Sequence, residues 1–134
     1  MMRTTALLMA PLLLAACATP GDADDTAAAP RGSPTAANLV PAGEPVNCVQ
    51  RNRIRSTHVL DDQTIDFVMT DGRVYRNTLP GRCPGLGFDR AFGYRTSVNQ
   101  LCNVDIITVI SSGGGPRRGA SCGLGMFQPM QAPP

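Results

Sequence analysis

Four cysteines, Cys48, Cys83, Cys102 and Cys122, are spread through Val46 to Pro129 and constrain that segment more than any other feature. At about 84 residues a single hydrophobic core is marginal, and covalent staples add what packing alone lacks. None of the four stands in a C-x-x-C pair, which argues against a zinc site and for two disulfides. Three connectivities are open from the sequence. The preferred one joins Cys83 to Cys102, closing the long central loop, and Cys48 to Cys122, tying the two ends. Each closure is expected to contribute about 2 to 4 kcal/mol, mainly by restricting the unfolded chain.

A fifth cysteine has a different setting. Arg3 precedes an apolar run from Ala6 to Ala16, and Ala15 and Ala16 stand directly before Cys17. A charged start, a short apolar stretch and small residues at its end make a signal peptide over 1–16. With Pro11 inside it, the run is too short for a permanent span, which needs about twenty apolar residues. Leu14-Ala15-Ala16-Cys17 resembles the lipobox of bacterial lipoproteins. That resemblance implies diacylglycerol on the Cys17 sulfur, cleavage just before it and acylation of the new amine by a fatty acid such as palmitate. The competing reading is an ordinary secretory signal with a chance cysteine. Setting Cys17 aside leaves an even number of cysteines, suited to an oxidising periplasm. More than one acyl chain gives a stable anchor. In proteobacterial lipoproteins an aspartate after the cysteine tends to retain the protein at the inner membrane. Here it is Ala18, so the expected location is the periplasm-facing leaflet of the outer membrane.

Residues 17–45 are then the lipidated cysteine and a disordered tether, rich in Ala, Pro, Thr, Gly and Asp, with Leu39 and Val40 as the larger aliphatics. Such a segment buries too little apolar surface to offset the entropy of ordering it. As a coil it reaches on the order of 30 Å from the membrane.

The segment 46–129 reads as strands, with 130–134 as a disordered tail. Asp61-Asp62 separates "IRSTHVL" from "QTIDFVMT", and Asp71-Gly72 precedes "RVYRNTL" as a type I′ hairpin signal. "VDIITVI" (104–110) is apolar on both alternating faces and reads as a fully buried strand, and "LGMFQP" as a closing strand. Between "RVYRNTL" and "VDIITVI" lies a structured loop, 83–102, with one strand around "AFGYRT" and a helical turn. The expected fold is mainly β: a small disulfide-stapled β-barrel or rolled antiparallel sheet of about five or six strands, since closure removes exposed edges.

Two-residue hairpin loops would fix the cross-strand partners. One face would gather Ile54, Met69, Val74, Ser56, Phe67, Arg76, His58, Ile65 and Thr78 as the core side. The other would carry Arg53, Arg55, Arg73 and Tyr75, with Thr57, Asp66 and Asn77 as a hydrogen-bonded row. A one-residue slip at Asp61-Asp62 would reverse the first strand.

The run from Arg55 through Ile110, with the closing "SCGLGMFQPM", resembles a family of uncharacterised proteobacterial lipoproteins known only as a domain of unknown function. The stretch from Asp71 through Ile110 carries the most specific part. That resemblance implies the class and the four cysteines, and no activity.

Catalytic chemistry finds little to stand on. The sole histidine, His58, is expected to pack against Ile65 in the core. Nucleophilic catalysis needs a base with an orienting group beside it, and no spacing singles out an acid and base among Asp61, Asp62, Asp66 and Asp105. No catalytic residue, metal or cofactor is assigned, and an enzyme acting on envelope polymers is the least favoured reading. "SSGGGPRRGAS" (111–121) lacks the lysine of a phosphate loop and reads as a hairpin tip bearing Arg117 and Arg118. "CPGLGF" and "CGLGMF" read as tight turns beside disulfides.

Charge divides the chain. Residues 46–129 hold ten arginines against six acidic residues, the tether one arginine against four acids, and there is no lysine. The basic excess suits anionic envelope components, lipid phosphates or acidic glycans, gathered by Arg53, Arg55, Arg73 and Tyr75. It is too small to point to nucleic acid. The expected role is a non-enzymatic binding or structural accessory, held to the membrane by its anchor. An alternative is an inhibitor or regulator of a periplasmic protein, using Pro84 to Leu101 with Phe88 and Tyr94 as its contact.

Overall fold

Thr64–Met69 alternates Ile65, Phe67 and Met69 with Asp66 and Val68, and this pattern sets one buried face of a sheet. The computed structural model describes residues 38–134. In chain order the strands are β1 (Val40–Pro41), β2 (Cys48–Gln50), β3 (Ile54–Val59), β4 (Thr64–Met69), β5 (Val74–Thr78), β6 (Phe92–Tyr94), β7 (Gln100–Cys102), β8 (Ile106–Ser111), β9 (Arg117–Gly123) and β10 (Phe127–Gln131). A 3-10 turn, Arg51–Arg53, leads into β3, and a single helical turn, α1 (Leu86–Asp89), precedes β6.

All pairings between these strands are antiparallel and fall into three sheets: β1-β10-β5-β4-β3, the ribbon β2-β7, and β6-β8-β9. The mainly β, disulfide-stapled class holds. The described strands number ten rather than five or six, and they form separate sheets rather than one closed barrel. The additional strands are β1, β2 and β7, of two or three residues each and too short for alternation to reveal, and β9, which occupies the segment read as a hairpin tip bearing Arg117 and Arg118.

Both hairpin loops hold three residues, not two. The Leu60 N–H donates to the Thr64 carbonyl at 2.9 Å and the Met69 N–H to that of Arg73 at 2.8 Å. Gly72 alone in the second loop has positive φ, +87°, which excludes the type I′ geometry. The register therefore shifts by one: Phe67 opposes Thr57 and Tyr75, Ile65 opposes Val59 and Asn77, and Asp66 opposes His58 and Arg76. A bulge at Arg55 returns β3 to the Ile54–Met69 pairing. Ser56, His58 and Arg76 thus leave the expected core side, and Thr57 and Asn77 leave the expected polar row.

The core joins all three sheets. It contains Ile65, Phe67 and Phe127 of the large sheet, Ile107 and Val109 of β8, and Val49 and Leu101 of the ribbon. The Phe67 ring meets Phe127 edge-on at 5.4 Å and Phe92 at 6.2 Å, linking the large sheet to β6. β8 is buried on one face only. Ile107 and Val109 point inward, while Ile106 and Ile110 are exposed, correcting the expectation of a strand buried on both sides.

The disulfides join Cys48 to Cys102 and Cys83 to Cys122, so all four cysteines pair but the preferred connectivity is wrong. Cys48 and Cys102 oppose each other directly in the ribbon, with Cα atoms 4.0 Å apart. Cys83 and Cys122 begin the two similar segments "CPGLGF" and "CGLGMF", which one bond therefore brings together, with Leu86 and Leu124 both buried behind it. The folded part also starts before Val46. Leu39 is buried, and β1 pairs with β10, which itself extends to Gln131. Residues 1–37, with the expected signal peptide, Cys17 and most of the tether, lie outside the described residues.

Candidate functional site

The expected basic face takes a different form. Arg53 and Arg55 are exposed, at the end of the 3-10 turn and on the bulge. Arg73 is bound to Asp71 through Nε at 2.8 Å and Nη2 at 2.8 Å. That guanidinium, with the Arg73 N–H and the more distant Arg53, holds the Asp71 carboxyl below the usual carboxylate range. A carboxylate therefore sits among these arginines, and Tyr75 packs against the core.

The other acidic residues singled out by the sequence brace loops and sheets. Asp66 is 1 % exposed and takes the Arg76 guanidinium in a two-point pair, at 2.8 and 2.9 Å, across β4 and β5. Asp62 accepts the Gly87 N–H at 2.8 Å and the Arg82 side chain at 3.0 and 2.8 Å. Both interactions, the Gly87 bond first, hold its carboxyl below the usual range. Asp61 accepts the Gln63 N–H at 2.7 Å, closing its own turn. Asp61, Asp62, Gln63 and Arg82 line a shallow groove of about 500 Å³ with Thr64 and Thr78. His58 is exposed opposite Asp66 rather than packed on Ile65. Among the described residues, no three His, Cys, Asp or Glu side chains converge as metal ligands.

The most distinctive surface is the outer face of β6-β8-β9, which the sequence reading missed. Alternation along β8 turns Ile106, Thr108 and Ile110 outward. The register sets Gly93 of β6 opposite Thr108 and Gly123 of β9 opposite Ile106. Neither glycine has positive φ, and a Cβ on Gly123 would meet no atom within 4 Å. Their effect is to leave the strip on β8 uncovered from both sides. The result is an open groove of about 540 Å³ rimmed by Arg95 and Arg118, with Val104 projecting beside it. Ile106 is 58 % exposed and Val104 82 %. The Thr108 and Ser121 hydroxyls pair at 3.1 Å in its floor. The signal was present in "NVDIITVI" as an aliphatic run whose two faces could not both be buried once β8 lay on the outside of a small core. Tyr94, expected in a partner contact, half-buries its ring at the groove's edge, and Phe88 stands 90 % exposed on α1.

Comparison with family models matches residues 1–130 to a family of unknown function. The chain belongs to that family, DUF6491. No curated protein and no solved structure matches it. DUF6491 membership agrees with the expectation, carried by the Arg55–Ile110 run, of a family of unknown function, and assigns no chemistry to either groove. No helix among the described residues of this DUF6491 chain is long and apolar enough to cross a membrane.

Proposed function

We propose that the chain is a lipid-anchored protein of the bacterial cell envelope, held at the periplasmic leaflet of the outer membrane, whose β-domain is a non-enzymatic binding or structural accessory. The observation that carries this reading is the cysteine pairing. Cys48 with Cys102 and Cys83 with Cys122 account for four of the five cysteines. The one left over is Cys17, in the lipobox-like setting Leu14-Ala15-Ala16-Cys17. Disulfides persist in oxidising compartments, which suits export. The structural engagement of Asp61, Asp62 and Asp66 supports a scaffold that presents surfaces.

Metabolic labelling with an alkyne fatty acid, followed by density separation of the two membranes, tests it. Label is expected on the native chain, in the outer-membrane fraction, and absent from Cys17→Ser. An unlabelled native chain would overturn the anchor.

A second reading, an inhibitor or regulator of a periplasmic protein, is favoured by Phe88, an aromatic ring left 90 % exposed on a one-turn helix. A co-purifying partner lost on Phe88→Ser would select it over the first.

A further inference from the structure

Val104 is out of keeping with its position. It lies in the Cys102–Asp105 turn, a place for polar residues, yet it is an aliphatic side chain 82 % exposed. The turn is rigidly built. The Asp105 carboxylate accepts the Cys102 N–H at 2.7 Å, the Asp105 N–H donates to the Cys102 carbonyl at 3.0 Å, and Cys102 is bonded to Cys48. Ile106 and Ile110 continue the apolar strip along β8, and Gly93 and Gly123 leave it bare. Arg95 and Arg118 stand at its rim, and the ion pairs among the described residues engage Arg73, Arg76 and Arg82 instead.

We propose that this face docks onto an anionic lipid surface, with Val104 and Ile106 entering the headgroup boundary and Arg95 and Arg118 gripping lipid phosphates. Charge complementarity chooses this occupant. Guanidinium forks match phosphate oxygens, and their stems lie along apolar surface while the heads stay at the polar level. Side chains that project from a fixed turn suit insertion into a soft boundary, whereas the core of a protein interface is a closed surface depleted of charge. The assignment rests on the membrane-tethered reading, because an anchor at Cys17 would keep the domain close to a bilayer.

The chain has no tryptophan, so Val104→Trp supplies a single indole reporter, and Ile106→Trp a second should the first disturb the turn. The full chain is mixed with vesicles of phosphatidylglycerol and phosphatidylethanolamine, or of phosphatidylcholine alone, carrying brominated acyl chains. Blue-shifted emission and bromine quenching are expected in the anionic vesicles only. Arg95→Glu and Arg118→Glu, each with an unchanged near-ultraviolet circular dichroism spectrum, are expected to lower the quenched fraction on the order of fivefold apiece. Cosedimentation without quenching would overturn the proposal and leave the anchor as the sole attachment. Quenching unaffected by both charge reversals, or a blue shift that needs added envelope protein, would also overturn it. Loss of fatty-acid labelling at Cys17 reports separately on the anchor.

Discussion

The Asn77 side chain clamps Gly125 by both of its backbone polar groups. Its Nδ2 donates to the Gly125 carbonyl at 2.7 Å and its Oδ1 accepts the Gly125 N–H at 2.8 Å. Asn77 is fully buried beside Phe127, so this amide does the work of a strand pairing where the chain turns into β10. Asn77→Leu removes both bonds and strands two backbone groups away from water. A loss of about 2 to 4 kcal/mol is expected, read from the urea midpoint with disulfides intact.

Gly125→Ala is expected to cost at least as much for a different reason. A Cβ there would collide with the carbonyl oxygen of Thr78, a backbone atom of β5 that cannot rotate away. Thermal unfolding of Gly125→Ala beside Gly123→Ala separates the two causes. The second variant meets nothing within 4 Å and is expected to stay within about 0.5 kcal/mol of the native chain.

The disulfides interleave along the sequence, since Cys83 lies inside the Cys48–Cys102 loop and Cys122 outside it. Their separations, 54 and 39 residues, correspond to loop-closure contributions of about 4 kcal/mol each. Cleavage after arginine places each of the four cysteines in its own peptide. A non-reducing peptide map is therefore expected to show the Cys48 peptide joined to that of Cys102, and the Cys83 peptide to that of Cys122. Cys83→Ser with Cys122→Ser is expected to lower the melting temperature sharply, because it also unpins β9 from the loop before α1.

What the sequence made legible follows from how local each determinant is. β4 announced itself because Ile65, Phe67 and Met69 repeat on one face, and β6 and α1 were readable from aromatic and glycine spacing. The register was not, since it turns on whether Gln63 and Thr70 belong to strand or loop, and one residue decides which side His58, Arg76 and Tyr75 take. The disulfide partners were hidden for a related reason. Cys102 meets Cys48 through β7, a three-residue strand with no periodicity of its own. The Arg95–Ile106–Arg118 face required the placement of β8 at the outside of the core, a long-range fact that "VDIITVI" alone does not hold.

Asp66 and Arg76 give a direct check of the corrected register, because only the observed pairing sets them opposite each other. Arg76→Met leaves a buried carboxylate without its guanidinium and is expected to cost about 3 to 5 kcal/mol. Asp66→Asn keeps the shape and removes the charge, so a smaller loss is expected. A double-mutant cycle on the two residues is expected to return a coupling of at least about 1 kcal/mol. A coupling of zero would contradict the pairing.

Asp62 makes acid stability local. Its carboxyl, held below the usual range by the Gly87 N–H and the Arg82 guanidinium, is charged in the folded chain at pH values where the unfolded chain has begun to bind a proton. The stability it adds is therefore present above the unfolded value, near 4, and is lost as the pH falls through the lower folded value. The bond it releases fastens the Asp61–Gln63 loop to α1, where the Cys83 N–H also donates to the Asp62 carbonyl at 2.7 Å. Hydrogen exchange at Gly87 is expected to accelerate as the pH drops below about 4, after correction for intrinsic rates, while the amides of β4 stay protected. In Asp62→Asn the Gly87 amide is expected to exchange faster at neutral pH and to lose that pH dependence. If the native and variant profiles coincide, the carboxylate does not hold the loop.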